Sequence, residues 1–439
     1  MATNVTKGRG GPQLQVALDC LELSRAMKVA EAVVAGGADI LEAGTPLIKS
    51  EGLDAVRALR ARFPRATLVA DLKTMDAGRM EMEAAAKAGA NVAVVLGVAS
   101  DATVRECIEA GRNYGIAVAV DLLGVQDVAA RAEVCEQLGA HQLDVHTPID
   151  EQMQGGDPFE RLRLVRQAVS LPLAVAGGIN SETAADAVAA GADIVIVGGA
   201  ITKSADPRQA TEEIKRAMTA GEKVATTLYR RVGLERVREV LQGVSSANVS
   251  DGGHRLPPLE GIRPVMLGLK LVGPAFTVRT YPGDWAKPVE AIDEAAPGDV
   301  IVIDAGGVGP AVWGELATHS AVGKGLAGVV IDGAIRDTAE IREVKFPAFA
   351  RLITPQAGEP KGLGEVGVVV RVAGQRVEPG DWLLGDDDGL VLLPRGRVVE
   401  LANRAMDCLE RENRIRQEIF EGKTTLAQVT ELLRWEKRT

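Results

Sequence analysis

The sequence predicts an α/β protein in two parts. A closed (β/α)8 barrel (TIM barrel) spans residues 13–220, and a mixed α/β domain built around β-sheets spans 244–400. A helical connector (221–243) joins them and a helical tail (401–439) follows. Two observations predict the barrel, and a third marks where it stops. First, "GGADILEAG", "AGANVAVVLG", "LGAHQLDVHT" and "AGADIVIVGG" begin alike, with alanines at 38, 90, 140 and 192, spaced 52, 50 and 52 residues apart. Each reads as a glycine closing a helix, a polar residue and a buried strand. Second, four more apolar runs fall between them: "LQVALD" (14–19), "TLVADLK" (67–73), "IAVAVDLLG" (116–124) and "PLAVAGGI" (172–179). Third, the pattern ends near residue 207.

Taken in order, the strands alternate with helical stretches such as 22–35, 51–62 and 101–113. The runs are almost continuous in Val, Ile, Leu and Ala, as parallel strands covered on both faces require. Eight such units in about 220 residues favour a closed barrel over an open doubly wound sheet. Strand one ends on Asp19, strand two on Glu42, strand three on Asp71 and Lys73, and strand six on His146. Strands seven and eight end in the pairs Gly177–Gly178 and Gly198–Gly199. Barrel chemistry collects at these C-terminal ends.

Composition narrows the class. The 439 residues are 46% hydrophobic and 25% charged, ordinary for a folded soluble chain. A net charge of -10 argues against general nucleic-acid binding, though not against a local basic pocket. Cys20, Cys107, Cys135 and Cys408 form no CxxC pair, which points to buried thiols in a reducing cytoplasm. The N-terminus lacks an apolar signal core, and no uninterrupted apolar stretch approaches ~18 residues, so a cytoplasmic, membrane-free protein is expected.

The stretch "DLKTMD" sets Lys73 between Asp71 and Asp76. Residues two apart on a strand share a face, so Lys73 and Asp71 meet, while Asp76 falls in the following loop and could point to a neighbouring subunit. At ~4 Å and an effective dielectric of ~20, each such pair attracts by about 4 kcal/mol before desolvation. A lysine so placed stays charged, suited to stabilising an oxyanion or delivering a proton. Glu42 and Asp71 offer hard oxygens for Mg2+. A structural ion-pair network is the competing reading. The glycine pairs expose backbone N–H groups where barrels commonly hold phosphate, with Ser181 expected to cap the helix after Gly178; tight turns would need the same glycines. His146 suits acid, base or hydrogen-bonding work, or simple packing.

Six motifs, "ALD", "LEAGTPLI", "DLKTMD", "VHTPIDEQ", "AGGIN" and "VGGAIT", occur in the order found in the 3-hexulose-6-phosphate synthase family of the orotidine monophosphate decarboxylase superfamily, which residues 13–220 resemble. The resemblance implies that Glu42 and Asp71 bind Mg2+ (or Mn2+), while Asp19, Lys73, Asp76 and His146 line the substrate. It implies condensation of ribulose 5-phosphate with formaldehyde, or the reverse, through an enediolate, and a homo-oligomer. The sibling 3-keto-L-gulonate-6-phosphate decarboxylases usually carry arginines after the strand-six histidine. Here "TPIDEQMQGG" has none, so the synthase is preferred.

In the second half, "WGELATHSA" reads as a loop entering a helix. The N–H groups of Gly314, Glu315, Leu316 and Ala317 could hold a carboxylate, with Arg336 as a bidentate clamp and Asp337 as a metal ligand. A plain Arg–Asp surface pair is the competing reading. Residues 244–400 resemble the ribonuclease E activity regulator A family, which includes 4-hydroxy-4-methyl-2-oxoglutarate aldolases. The aldolase pattern is an acid, twenty residues, Arg-Asp, two residues and an acid, here Glu315, Arg336-Asp337 and Glu340. Aldolases more often begin it with aspartate. The resemblance implies a 2-oxoacid lyase and a trimer or hexamer. The alternative is a gulonate-phosphate decarboxylase barrel joined to a non-catalytic, protein-binding regulator of RNA processing.

Overall fold

The structure, a computed structural model, describes residues 11–146, 158–226, 231–422 and 424–430. They fall into two compact units, one within 1–230 and 413–439, the other within 231–412.

The first unit is a closed eight-stranded parallel barrel in sequence order. Its elements are β1 Gln13–Leu18, α1 Leu23–Ala35, β2 Ile40–Ala43, α2 Thr45–Glu51, α3 Asp54–Arg62, β3 Thr67–Thr74, α4 Gly78–Ala88 and β4 Val92–Leu96. Then come α5 Asp101–Tyr114, β5 Ala117–Asp121, α6 Val128–Leu138, β6 Gln142–His146, α7 Pro158–Ala168 and β7 Leu173–Ala176. The unit continues with α8 Ala184–Ala189, β8 Ile194–Val197, α9 Gly199–Thr202 and α10 Pro207–Ala220. Pairing of β1 with β8, from Gln13 with Ile194 to Val16 with Val197, closes the ring.

The repeat that predicted the barrel has a backbone cause. The glycines before its alanines, Gly37, Gly89, Gly139 and Gly191, have φ of 92°, 101°, 94° and 105°, the left-handed turn that ends each helix and starts the next strand. Starts are set by side chains: Ser100, Asp127 and Asp206 accept the N–H of Thr103, Ala130 and Gln209 at α5, α6 and α10. Along β1, Leu14, Val16 and Leu18 join the core shared with the helices, while Ala17 joins the barrel interior. That interior is rich in small residues (Ala17, Ala119, Ala174, Ala176), and Gln15, Glu42, Gln142 and Asp144 are buried as well.

One expected cap is not formed. The helix after Gly177–Gly178 begins only at Ala184, and Ser181 instead donates its hydroxyl to the Val224 carbonyl, 2.8 Å away. The intervening turn belongs to Asn180, whose Oδ1 accepts the Glu182 N–H at 2.9 Å.

The second unit opens with a short 3-10 turn (Leu234–Arg236), α11 Val237–Gly243 and α12 Ser246–Gly252. It then runs through β9 Arg263–Pro264, β10 Leu271–Thr280, α13 Ala286–Glu294, β11 Val300–Asp304, β12 Ala311–Trp313, α14 Glu315–Lys324, β13 Gly328–Ile335, α15 Thr338–Val344 and β14 Ala348–Ile353. Short strands follow: β15 Gly364–Val366, β16 Val370–Val372, β17 Gln375–Val377, β18 Trp382–Asp386 and β19 Gly389–Leu393. The main sheet has the order β19-β18-β10-β11-β13-β14-β9, with β12 on β13 and β15 on β10; β16 and β17 pair separately. It is a mixed α/β fold, as the alternation of turns and strands predicts. Helix α16 Val398–Gly422 closes this unit, and its residues from 413 onward group with the barrel, as does α17 Leu426–Val429. No described helix is long and apolar enough to cross a membrane.

Candidate active site

The barrel mouth gathers Lys73, His146 and the carboxylates of Asp19, Glu42, Asp71 and Asp121, and Lys203 after β8 also acts on Asp19. Lys73 takes φ of 48°, and the β3–β4 register shifts between Ala70 and Thr74, so the strand breaks its regular pleat where the lysine turns. Its Nζ lies 3.0 Å from Asp71 Oδ2 and 2.8 Å from Asp121 Oδ2. The lysine is therefore between two carboxylates, but the second is Asp121 at the end of β5. Asp76 stands apart: it is exposed, and its Oδ1 accepts the N–H of Ala77 at 2.7 Å.

Asp121 Oδ2 also meets His146 Nδ1 at 3.2 Å, while Oδ1 accepts the Leu123 N–H at 2.9 Å. Burial would raise the Asp121 pKa, but His146 and Lys73 outweigh it and hold the carboxyl down at about 2. For Lys73, burial would favour the neutral amine; Asp121 and Asp71 override it and push the pKa above the ordinary lysine value. An ionised Asp121 can only accept, so His146 Nδ1 is the donor in this contact and Nε2 is the ring nitrogen left over.

On the other side, Asp71 Oδ2 accepts the Thr45 hydroxyl at 2.7 Å, and Glu42 accepts Gln15 Nε2 at 2.6 Å. Burial, then the nearby Asp71 and Asp19, raises the Glu42 pKa well above the usual carboxylate range. Asp19 is open to solvent on one side, yet enclosing protein and then Asp71 raise its pKa too. Its carboxylate fills the space of missing side chains: a Cβ on Gly44 would lie 2.1 Å from Oδ1, and one on Gly198 3.0 Å from Oδ2. Gly177 and Gly178, with φ of 114° and 68°, turn the chain after β7, and Gly198 and Gly199 lead from β8 into α9.

Asp19, Glu42 and Asp71 repel one another beside a lysine that Asp121 also holds, a concentration of negative charge that favours a cation at this rim. Among the described residues no group of three or more His, Cys, Asp or Glu is arranged to hold a metal. Glu42 and Asp71 are two hard oxygen donors at the ends of the paired strands β2 and β3, the small number of carboxylates that Mg2+ takes when water and substrate complete its shell.

In the second unit, Arg336 and Asp337 follow β13. Asp337 Oδ2 accepts Arg336 Nε at 3.0 Å and the Glu315 N–H at 3.3 Å, so this carboxylate occupies the start of α14. Gly314 permits that approach, since a Cβ there would lie 2.5 Å from Asp337 Oδ2. Ala317 is buried, whereas Leu316 and Glu340 are exposed. Arg336 and the backbone N–H of Glu315 thus meet at Asp337, an acceptor already on the helix end expected to hold a substrate carboxylate.

Comparison with known proteins bears on both units. Residues 12–214 match the orotidine 5'-phosphate decarboxylase / HUMPS family model, and 246–392 match the RraA-like (Aldolase/RraA) model. The 3-hexulose-6-phosphate synthase of Methylomonas aminofaciens is 44% identical over 201 residues, which is 46% of this chain and 96% of that protein. The synthase of Mycobacterium gastri is 39% identical over 206 residues, 47% of this chain and 99% of that one. The chain belongs to the orotidine 5'-phosphate decarboxylase / HUMPS family. Its barrel is an enzyme domain of the aldehyde-lyase type, and an RraA-like domain is fused to it. A solved RNA-processing inhibitor RraA from Thermus thermophilis is 36% identical, over 34% of this chain and 92% of that one, with a TM-score of 0.32.

Within this family barrel, sequence reasoning missed Asp121 and Asp144. Both had a signal. Asp121 ends "IAVAVD" as Asp71 ends its own strand, and Asp144 lies two before His146 on the same strand. Residues 147–156, whose lack of arginine favoured the synthase, lie outside the described residues.

Proposed function

We propose that the barrel is a 3-hexulose-6-phosphate synthase, joining ribulose 5-phosphate and formaldehyde or running the reverse reaction. The observation that carries this reading is the shared Asp121 oxygen, which orients Lys73 and His146 together beside Asp71. His146 Nε2 is the base that takes the C1 proton; the enediolate C1 then bonds to the formaldehyde carbon and the imidazolium gives its proton to the new alkoxide oxygen, and the reverse reaction runs these transfers backwards. Lys73, kept charged by its two carboxylates, stabilises negative charge on the enediolate oxygens. The loops after β7 and β8 take the phosphate. Glu42 and Asp71 would hold Mg2+ (or Mn2+), which when bound would supply Lewis-acid stabilisation of the same charge. The experiment is to offer the protein ribulose 5-phosphate with formaldehyde, and separately 3-keto-L-gulonate 6-phosphate. A hexulose phosphate product without CO2 release is expected. CO2 from the gulonate with no formaldehyde consumption would assign the barrel to decarboxylation.

For the RraA-like domain we infer a 2-oxoacid lyase pocket with Arg336 as the anion clamp, supported by the meeting of Arg336 and the Glu315 N–H at Asp337. Asp337 would hold a divalent ion through water. Metal-dependent oxaloacetate cleavage that Arg336→Ala abolishes, with barrel turnover unchanged, is expected. No cleavage by the wild type would favour a non-catalytic binding module.

A further inference from the structure

Neither family match extends beyond residue 392, yet a segment from that part of the chain reaches the rim of the barrel. Residues 413–422, the last part of α16, belong to the barrel's unit. There Glu418 Oε1 accepts a hydrogen bond from Arg25 Nη1, and Arg414 Nη1 lies 3.6 Å from the same oxygen. Arg25 is in the first turn of α1, just after Asp19. Its Nη2 donates to the carbonyl of Thr202, the last residue of α9, at 2.8 Å. One guanidinium therefore ties the loop after β1, which carries Asp19, to the turn after β8, which carries Gly198 and Gly199. Those loops also meet at their functional ends, where Gly198 packs on the Asp19 carboxylate.

A guanidinium on a long side chain loses much conformational freedom when fixed, and holds its direction only where planar partners constrain it. Glu418 is such a partner for Arg25, through a charge-assisted bond, and Arg25 in turn satisfies a carbonyl at the end of a one-turn helix. Side-chain exposures of 20% for Arg25 and 34% for Glu418 leave the pair only partly screened by solvent.

We propose that Glu418, acting through Arg25, is a positioning residue that holds the β1 and β8 loops in register for the phosphosugar, so that the C-terminal helix completes the barrel's substrate site. This rests on the reading of the barrel as a phosphosugar enzyme.

The test uses the full chain with Glu418→Ala, Glu418→Gln, Arg25→Ala and the double alanine variant. Hydrogen exchange is read at the amides of Ile201–Ser204, which bond back to Gly198, Gly199 and Ile201. Affinity for ribulose 5-phosphate is read by calorimetry, and KM and kcat by formaldehyde consumption. Glu418→Ala is expected to speed exchange by about tenfold and to weaken binding and raise KM about fivefold, with kcat within about twofold of wild type. Glu418→Gln, which keeps an acceptor oxygen, should lie between, and the double variant should be no worse than Arg25→Ala alone. Unchanged exchange in Glu418→Ala overturns the proposal. Faster exchange with unchanged affinity and KM also overturns it, because the helix would then steady the loop without serving the substrate. A wild type that binds ribulose 5-phosphate without turnover would sink the synthase reading, while exchange and affinity would still decide the positioning role.

Discussion

Asp144 shows how far a single residue's surroundings set its chemistry. It is buried in β6, where burial, then the charge of Asp121, raises its pKa to about 7 against an ordinary 3.8, although Gln142 Nε2 donates to it at 2.6 Å. Asp71 and Lys73 also act on it, in opposite directions. The folded state therefore binds a proton that the unfolded state has released between about pH 4 and about pH 7. The stability linked to it is complete below that window and is lost as pH rises through it. Asp121 has the opposite sign: its contribution is present above 3.8 and is lost as pH falls towards about 2. Asp144→Asn keeps the shape and removes the titration. The barrel's melting temperature in the variant should gain on wild type as pH rises from about 4 to about 7. Parallel pH profiles for the two proteins would show that Asp144 is already charged at neutral pH.

At the scale of elements, the barrel was legible because its backbone needs are local. Helix ends at Gly37, Gly89, Gly139 and Gly191 demand φ that few other residues adopt, and a repeat of such sites writes the fold into the sequence. Contacts between distant elements leave no comparable mark. Lys73 was legible as an active-site cation, but its second partner, Asp121, lies 48 residues away, and a partner in the same short motif was the natural expectation. The Arg25–Glu418 contact spans 393 residues, and no local pattern announces it. The helix layer is tight where small residues meet. A Cβ on Gly78, at the start of α4, would lie 2.5 Å from Cys107 Sγ and 2.9 Å from the Thr103 carbonyl on α5. Gly78→Ala should force these helices apart and cost about 1–3 kcal/mol in chemical denaturation, with KM unchanged. A neutral effect on stability would mean that the α4–α5 seam is loose. Burial there also pushes the Cys107 thiol up to about 12, which fits a packing role.

For the whole molecule, two units carry two separate constellations. The family of the barrel is shown by matches spanning nearly the full length of its synthase relatives, and the second unit matches the RraA-like model. The sequence placed Glu42, Asp71, Lys73 and His146 at one rim, and the barrel assembles them there. It set Asp76 in the loop beyond, where it could point to a neighbouring subunit, and the structure leaves that carboxylate exposed. In the second unit the pattern of Glu315, Arg336 and Asp337 was legible, whereas the occupation of the α14 end by Asp337 depends on the left-handed backbone at that residue, φ 54°. The central claim is that the Asp71–Lys73–Asp121–His146 cluster handles the enediolate of a hexulose phosphate synthase. The most direct measurement is formaldehyde consumption with ribulose 5-phosphate, with and without Mg2+, by wild type and by Lys73→Ala. The account predicts Mg2+-dependent consumption by wild type and a loss of at least about 10²-fold in a folded variant. Consumption by Lys73→Ala at the wild-type rate, or none by a folded wild type, would contradict it.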